Sequence, residues 1–177
     1  MAKGWRLPEI FVHSKEKQAL TLENKKLLDS TGWQLLAALQ QNARLSLAEL
    51  GRQVGLSAPA VAERLRRMEE AGIITGYQAQ INLKAVGLPI LAFIRLQISN
   101  RQYPELLQNL ETWPEVLECH HLAGTDAFML RVVAGSVTHL ESIINRLAGY
   151  GQTTTSIVLS SPVPGNIVSR AAAENVP

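Results

Sequence analysis

The sequence predicts an α+β protein in which a small helical head precedes a domain of alternating strands and helices. Apolar residues recur at three- and four-residue intervals up to about residue 70, the period of an amphipathic helix. From residue 90 onward the order is strand, helix, strand, strand, helix, strand. This βαββαβ order is typical of the ferredoxin-like fold, in which one antiparallel sheet carries both helices on one face.

The chain is expected to divide into five parts. Its first residues mix six basic and three acidic side chains with few apolar ones, so they predict an extension with at most short helices after Ser14 and Thr21. The expected parts are an N-terminal extension, the helical head, a strand with a linker, the βαββαβ domain and a C-terminal tail, at residues 1–28, 29–72, 73–89, 90–160 and 161–177.

The first helix of the head is predicted to begin after Asp29 and to end near Asn42. Aspartate is a favoured N-cap because its carboxylate can accept from backbone amides of the first turn. Trp33, Leu36 and Leu39 follow at helical spacing and are expected to share one face of this helix.

The second helix has a start signal in its sequence. Ser46 and Glu49 have the spacing of a capping box, in which each side chain accepts a hydrogen bond from the other residue's backbone amide. Leu47, Leu50 and Val54 lie at i, i+3 and i+7, and we expect them to be buried together.

A tight turn and a third helix follow. Gly55 can adopt the positive φ that such a turn requires, Ser57 can cap the next helix, and Pro59 falls in its first turn, where a missing N–H is harmless. Gly51 leaves room for the two helices to cross closely. The apolar stripe of the third helix is Val61, Leu65 and Met68. The sequence therefore predicts a helix-turn-helix motif.

The exposed face of that third helix has small residues in its first turns and arginines further along. Small residues let the backbone approach base edges in a major groove, and arginines can reach phosphates or guanines. The predicted DNA contacts are Ser57, Ala58, Pro59, Ala62, Glu63, Arg66 and Arg67, together with Arg44 and Ser46. Arg52 and Arg64 are further candidates, although Arg64 could pair with an acid of the head, and a solvated helix without DNA contacts is the alternative interpretation.

Residues 73–82 alternate and contain β-branched side chains, so they predict a strand leading out of the head, with a linker at residues 84–89. The βαββαβ domain is then predicted to have strands at 90–98, 116–123, 128–134 and 153–159 and helices from Pro104 and Ser136. Inward positions of the two helices are Leu106, Leu107, Leu110 and Trp113, and Val137, Leu140, Ile144 and Leu147.

The sheet face opposite the helices is predicted to be too apolar for open solvent. It would carry Leu91, Phe93, Met129 and Val133 beside Arg95, Gln97 and Arg131. Packing against the same face of a second copy would bury it, so we expect a homodimer. A two-fold dimer would present two recognition helices to one duplex, ~34 Å apart or a multiple of that.

Composition limits the remaining classes of function. Residues 1–84 carry 12 Lys and Arg against 8 Asp and Glu, whereas residues 85–177 carry 5 Lys and Arg against 7 Asp and Glu. The N-terminal part therefore has a net positive charge and the C-terminal part a net negative charge. The longest wholly apolar run has 9 residues, whereas a membrane span needs ~20. One cysteine and no signal-peptide core lead us to expect a soluble, cytoplasmic protein.

The triplet Cys119, His120 and His121 invites a metal interpretation. Adjacent strand residues point to opposite faces, so at most Cys119 and His121 share one, and no second ligand pair accompanies them. Packing within the sheet is the favoured interpretation. We expect no cofactor, no metal and no enzymatic activity, because the sequence has no phosphate loop and no set of residues typical of a catalytic site.

Taken together, these stretches resemble the Lrp/AsnC family of bacterial and archaeal transcriptional regulators. The resemblance spans roughly residues 28–160 and is carried by the order and spacing of residues 28–29, 42–46, 55–57, 64–69, 72–77, 82–87 and 153–159. It implies a DNA-binding head joined to an αβ sandwich that dimerises, with dimers commonly forming octamer-like rings that often sense an amino acid.

The resemblance also places an effector site near the loop after the second sandwich strand, at Gly124, Thr125 and Asp126. The family pattern there is Gly-x-x-Asp followed by Tyr or Phe, but this chain has Ala127 where the aspartate is expected. An amino-acid ammonium needs a carboxylate or carbonyls to replace its hydration. Either Asp126 takes that role, or the site binds another ligand, or it binds none.

The sequence thus predicts a sequence-preferring, duplex-DNA-binding transcriptional regulator that forms a dimer or a larger assembly. Two alternatives stay open at this point. One is a small-molecule-binding regulatory module whose helical head binds protein, and the other is a weakly specific architectural DNA-binding protein.

Overall fold

The structure is a computed structural model of the 177-residue chain, and it describes residues 22–99, 102–123, 128–163 and 165–174. The chain forms two compact units. The first runs to Ala79 and also includes the C-terminal residues from Gly165, and the second begins at Gln80 and ends before Gly165. Across the described ranges, no helix has both the length and the apolar character to span a membrane.

Four helices form the head in the first unit, and they are α1 (Leu22–Leu27), α2 (Ser30–Gln41), α3 (Leu47–Val54) and α4 (Ala58–Glu70). The predicted positions of the last three are confirmed. Leu27 of α1 is buried in the same core, so the head includes part of the stretch expected to be an extension. The buried core residues are Leu27, Leu35, Ala38, Leu50, Val61, Leu65 and Met68.

The apolar stripe predicted on α2 is only partly buried: Leu36 and Leu39 pack against the head core, but the buried positions lie one residue earlier along the helix. Gly32, Leu35 and Ala38 are the buried residues, whereas Trp33 is only half-buried. The cause is the close approach of α1, because a Cβ added at Gly32 would lie 1.9 Å from the carbonyl oxygen of Leu27. The glycine is therefore the point of contact between the two helices, and the core face is centred on it.

The strand expected at residues 73–82 does not form. The amides of Ile73 and Ile74 donate to the carbonyl of Met68, at 2.9 and 3.2 Å, and close the end of α4. Among the described strands, none pairs with the segment that follows. A β-strand needs a neighbouring backbone, so the alternating pattern gives an extended chain that ends in a 3₁₀ turn at Lys84–Val86.

The second unit has the predicted βαββαβ order. Its elements are β1 (Ile90–Ile98), α5 (Tyr103–Leu110), β2 (Val116–His121), β3 (Phe128–Ala134), α6 (Val137–Ala148) and β4 (Gly151–Ile157). The sheet order is β2-β3-β1-β4, and every pair is antiparallel. The first and third strands have the predicted bounds, whereas β2 ends two residues early and β4 is displaced two residues towards the N-terminus.

Both helices cover one face of this sheet, as predicted. The core alternates along β1, where Ala92, Ile94 and Leu96 are fully buried against the helices. Leu140, Ile143 and Leu147 are the buried residues of α6. Val137, which was expected to be buried with them, is 68% exposed because it is the first residue of the helix, before the turn that meets the sheet.

The opposite face of the sheet is largely open in the single chain. Phe93 is 36% exposed, and Leu91 and Met129 are partly buried beside it. Val133, expected to share this exposure, is only 2% exposed, which places it at the buried end of the face, where its amide donates to Glu115 O at 2.9 Å. We call Leu91, Phe93 and Met129 the open apolar face.

The C-terminal residues, predicted as a tail, form part of the first unit. The amide of Val168 donates to Gln40 Oε1 at 2.7 Å, and Gln40 Nε2 donates to the carbonyl of Val168 at 3.0 Å. A short helix, α7 (Arg170–Glu174), follows. The side chain of one glutamine on α2 therefore holds both backbone polar groups of one tail residue.

Candidate DNA-binding surface and effector domain

The start of α3 is fixed by the capping box that the sequence predicts. Ser46 Oγ accepts from the amide of Glu49 at 3.2 Å, and Glu49 Oε2 accepts from the amide of Ser46 at 2.8 Å. The Ser46 hydroxyl and amide hold the pKa of Glu49 below its usual range. Leu47 is exposed, contrary to prediction, because it is the first residue of the helix, one turn before the buried Leu50.

The turn between α3 and α4 is tight. Gly55 has φ +71°, and the amide of Leu56 donates to Gly51 O at 2.9 Å. A Cβ at Gly51 would lie 2.4 Å from Leu56 O, so glycine permits the close crossing there. Ser57 Oγ caps α4 by accepting from the amide of Ala60 at 3.4 Å. The predicted helix-turn-helix geometry is confirmed, and α4 occupies the position of its recognition helix.

The predicted contacts on α4 lie on the side away from its buried stripe. Pro59, Glu63, Arg66 and Arg67 are exposed, and so is the capping Ser57. The remaining two predicted contacts on the helix, Ala58 and Ala62, are half-buried at the border of this face. The structure therefore brings the α4 residues together on one helix, whereas Arg44 and Ser46 lie in the segment before α3.

Arg66 is held by two acids of its own helix. Its Nε and Nη2 donate to the two carboxylate oxygens of Glu63, at 2.9 and 2.7 Å, and Nη1 pairs with Glu70. These partners raise the pKa of Arg66, and Arg66 lowers the pKa of Glu63. In this geometry Arg66 is not a free cation on the helix face, whereas the sequence analysis assigned it to DNA.

Arg64, whose role the sequence left open, pairs with an acid of the head. Its Nη2 contacts Asp29, the N-cap of α2, and donates to the carbonyl of Leu27 at 3.2 Å. One guanidinium thus joins α4 to the α1–α2 junction. Arg64 and Asp29 are 35 positions apart in the sequence, so no local pattern could have identified their ion pair.

The predicted effector residues Gly124, Thr125 and Asp126 lie outside the described residues. At the end of β2, Cys119 and His121 share the helix-covered face, since they pair with Leu130 and Phe128, as expected from strand alternation. Burial raises the pKa of the Cys119 thiol to about 11, which disfavours the thiolate that a metal needs. Within the described parts of the chain, no group of three or more His, Cys, Asp or Glu could hold a metal ion.

Comparison with known proteins assigns both units. Residues 28–69 match the AsnC-type helix-turn-helix domain, and residues 91–168 match the Lrp/AsnC ligand binding domain. The HTH-type transcriptional regulator LrpC of Bacillus subtilis is 34% identical over 133 residues, which cover 75% of this chain and 92% of LrpC.

Two solved structures extend the comparison. The structure of B. subtilis LrpC matches with a TM-score of 0.74 at 33% identity, covering 78% of this chain and 99% of LrpC. The transcriptional regulator NMB0573 of Neisseria meningitidis, solved as an L-Met complex, matches with a TM-score of 0.75 at 28% identity, covering 80% of this chain and 96% of NMB0573. Both domains match models of one family, and the sequence and structural relatives belong to the same family. This chain therefore belongs to the Lrp/AsnC family of DNA-binding transcriptional regulators.

Proposed function

We propose that the chain regulates transcription as a sequence-preferring dimer or higher oligomer that inserts α4 into the major groove of duplex DNA. The observation that carries this proposal is the exposed, capped first half of α4 behind the tight Gly55 turn. Ser57, Ala58, Pro59 and Ala62 are small enough for the helix to approach base edges closely. Glu63, Arg66 and Arg67 lie further along the same helix, and Arg44 and Ser46 lie in the segment before α3.

The proposed dimer forms through the open apolar face of the sheet. Phe93 lies there and is 36% exposed, with the partly buried Leu91 and Met129 beside it. In this dimer the face packs against the same face of a second chain, so a two-fold axis relates the two heads. Such a dimer reads two half-sites on one duplex. Further association of dimers into an octamer-like ring is part of the same proposal.

The proposed effector is an amino acid. The ligand binding domain at residues 91–168 and the L-Met complex of NMB0573 support this class of ligand. The proposed site includes Gly124, Thr125 and Asp126, with Asp126 as the carboxylate for the ammonium group because residue 127 is alanine.

Gel shift of the whole protein with random duplex at rising salt tests DNA binding. We expect binding at low salt that is lost over moderate salt, and an Arg67→Ala variant should flatten the salt slope by about one unit. Lys26→Ala, which removes an exposed cation from α1, is the matched control and should leave the slope unchanged. Repeating the titration with L-methionine measures the effector response.

Absence of any shift at low salt would contradict the proposal and favour a small-molecule-binding module whose head binds protein. A footprint that extends with protein concentration, without preferred boundaries, would instead favour an architectural DNA-binding protein.

A further inference from the structure

Glu63 lies at the centre of the exposed face of α4. It is two residues from both Val61 and Leu65, which are buried, and a helix turns by about 100° per residue, so Glu63 points almost directly away from the core. Its side chain is 57% exposed. The middle of the recognition face is therefore occupied by a hydrogen-bond acceptor with a negative charge.

The orientation of this carboxylate is fixed by Arg66. A guanidinium that donates through Nε and Nη2 to two oxygens of one carboxylate forms a planar fork with defined geometry. Glu70 holds the same guanidinium from the next turn through Nη1. The three side chains together carry one net negative charge, so this part of the face does not attract phosphates by itself.

A carboxylate with this fork still has acceptor capacity, because its two oxygens offer about four lone-pair sites. In the major groove, guanine presents acceptors at N7 and O6, which an anionic acceptor disfavours. Cytosine presents the N4 amino group and adenine the N6 amino group, and cytosine N4 is the usual donor to glutamate.

We propose that Glu63, with its orientation fixed by Arg66, selects a cytosine amino group at one base-pair position of each half-site. The inference rests on the proposed insertion of α4 into the major groove and adds the residue that selects the base. Arg66 is then a positioning residue for Glu63 and does not contact phosphate.

Selection of bound fragments from random DNA, followed by affinity measurements on single-position variants of the selected site, tests the proposal. Glu63→Gln should lower the preference for cytosine at one position by about ten-fold, and move it towards adenine, which an amide can contact through N6 and N7. Preferences at the other positions should stay unchanged.

Glu70→Gln is the matched control. It removes the same charge from the same helix and the other partner of Arg66, but it lies seven residues further along, about 10 Å from Glu63 along the axis. We expect it to tighten binding to all sequences and to leave the base preference unchanged, because the fork that orients Glu63 uses Nε and Nη2 of Arg66 and not the Nη1 that Glu70 holds. Arg66→Gln should weaken the cytosine preference at the position that Glu63 governs, since the carboxylate loses its fixed orientation.

The inference is overturned if Glu63→Gln tightens binding to all sequences as Glu70→Gln does, with the same selected site as the wild type. It is also overturned if Glu63→Gln alters preferences at many positions, because the helix would then dock differently. Failure of the wild type to bind any duplex would instead refute the proposed function itself.

Discussion

Asp29 has two structural roles in the head. Its carboxylate caps α2 by accepting from the amide of Gly32 at 2.8 Å, and it pairs with Arg64 of α4. Desolvation by burial raises the pKa of Asp29, but the bond from Gly32 and the Arg64 guanidinium outweigh it, so the pKa lies below its usual range. The charged form is therefore the one that stabilises the fold.

Asp29→Asn separates these two roles, because asparagine is an equally good N-cap but carries no charge. The pair is half-exposed, so after screening by solvent we expect a loss of about 0.5–1 kcal/mol at pH 7. The pKa of Asp29 in the folded protein is below its ordinary value of 3.8. The stabilisation by its charge is therefore fully present above about pH 3.8, and it is lost as the pH falls through the folded-state pKa.

Urea unfolding of wild type and variant at pH 7 and at about pH 3 or below measures this loss. The two unfolding curves should converge in acid. A constant difference between them at every pH would mean that the charge of Asp29 contributes nothing.

At the level of single residues, local rules predicted what depends on local backbone. The Ser46–Glu49 capping box, the Ser57 cap and the turn at Gly55 each involve residues at most four positions apart. Local spacing was therefore enough to predict them. The Arg64–Asp29 pair depends on the folded arrangement of two helices, so the sequence could only leave it open. The Arg66 fork was within local reach, since Glu63 and Glu70 are at i−3 and i+4, but basic side chains on a recognition helix suggested phosphates instead.

At the level of elements, periodicity located the helices better than their faces. The buried face of α2 is centred on Gly32, a residue without a side chain to mark it, because α1 packs directly on the backbone there. The segment at residues 73–82 has the alternation of a strand, yet it lacks the paired backbone that a strand requires. In both cases the deciding partner lies outside the element.

Attachment of the C-terminal segment to α2 gives a prediction at this level. Gln40→Ala removes both hydrogen bonds to Val168 but keeps α2, because alanine is a better helix former than glutamine. Each bond is worth about 0.5–1.5 kcal/mol net, so the loss of both should make the amide of Val168 exchange at least about five-fold faster. Hydrogen exchange of the whole protein measures this directly.

Gln41→Ala is the matched control, since it changes an adjacent exposed glutamine of the same helix. It should leave exchange at Val168 unchanged. Equal exchange in wild type and Gln40→Ala would show that the paired glutamine does not hold the segment.

For the whole molecule, the order of elements was sufficient to predict the βαββαβ domain, because few arrangements bury both helices on one antiparallel sheet. The apolar residues left on the other face then follow from strand alternation, except that Val133 is buried. The predicted DNA contacts and the effector residues stay predictions, since they depend on partners that the fold alone does not specify.

In the proposed dimer the open apolar face connects assembly to DNA affinity, and Phe93→Asp tests that connection. A charge at the middle strand β1 should prevent sheet-to-sheet packing and give a monomer at micromolar concentration by equilibrium sedimentation. Val137→Asp is the matched control, because it places the same charge at an exposed apolar residue that begins α6, in the layer on the opposite side of the sheet.

Linked heads gain affinity because binding of the second head becomes intramolecular, which typically adds about 100-fold or more. Phe93→Asp should therefore weaken binding to DNA with two half-sites by about 100-fold and leave binding to a single half-site unchanged. Val137→Asp should bind both DNAs like the wild type. A Phe93→Asp protein that stays dimeric, or a monomer that keeps full affinity for paired half-sites, would show that this face does not join the two heads.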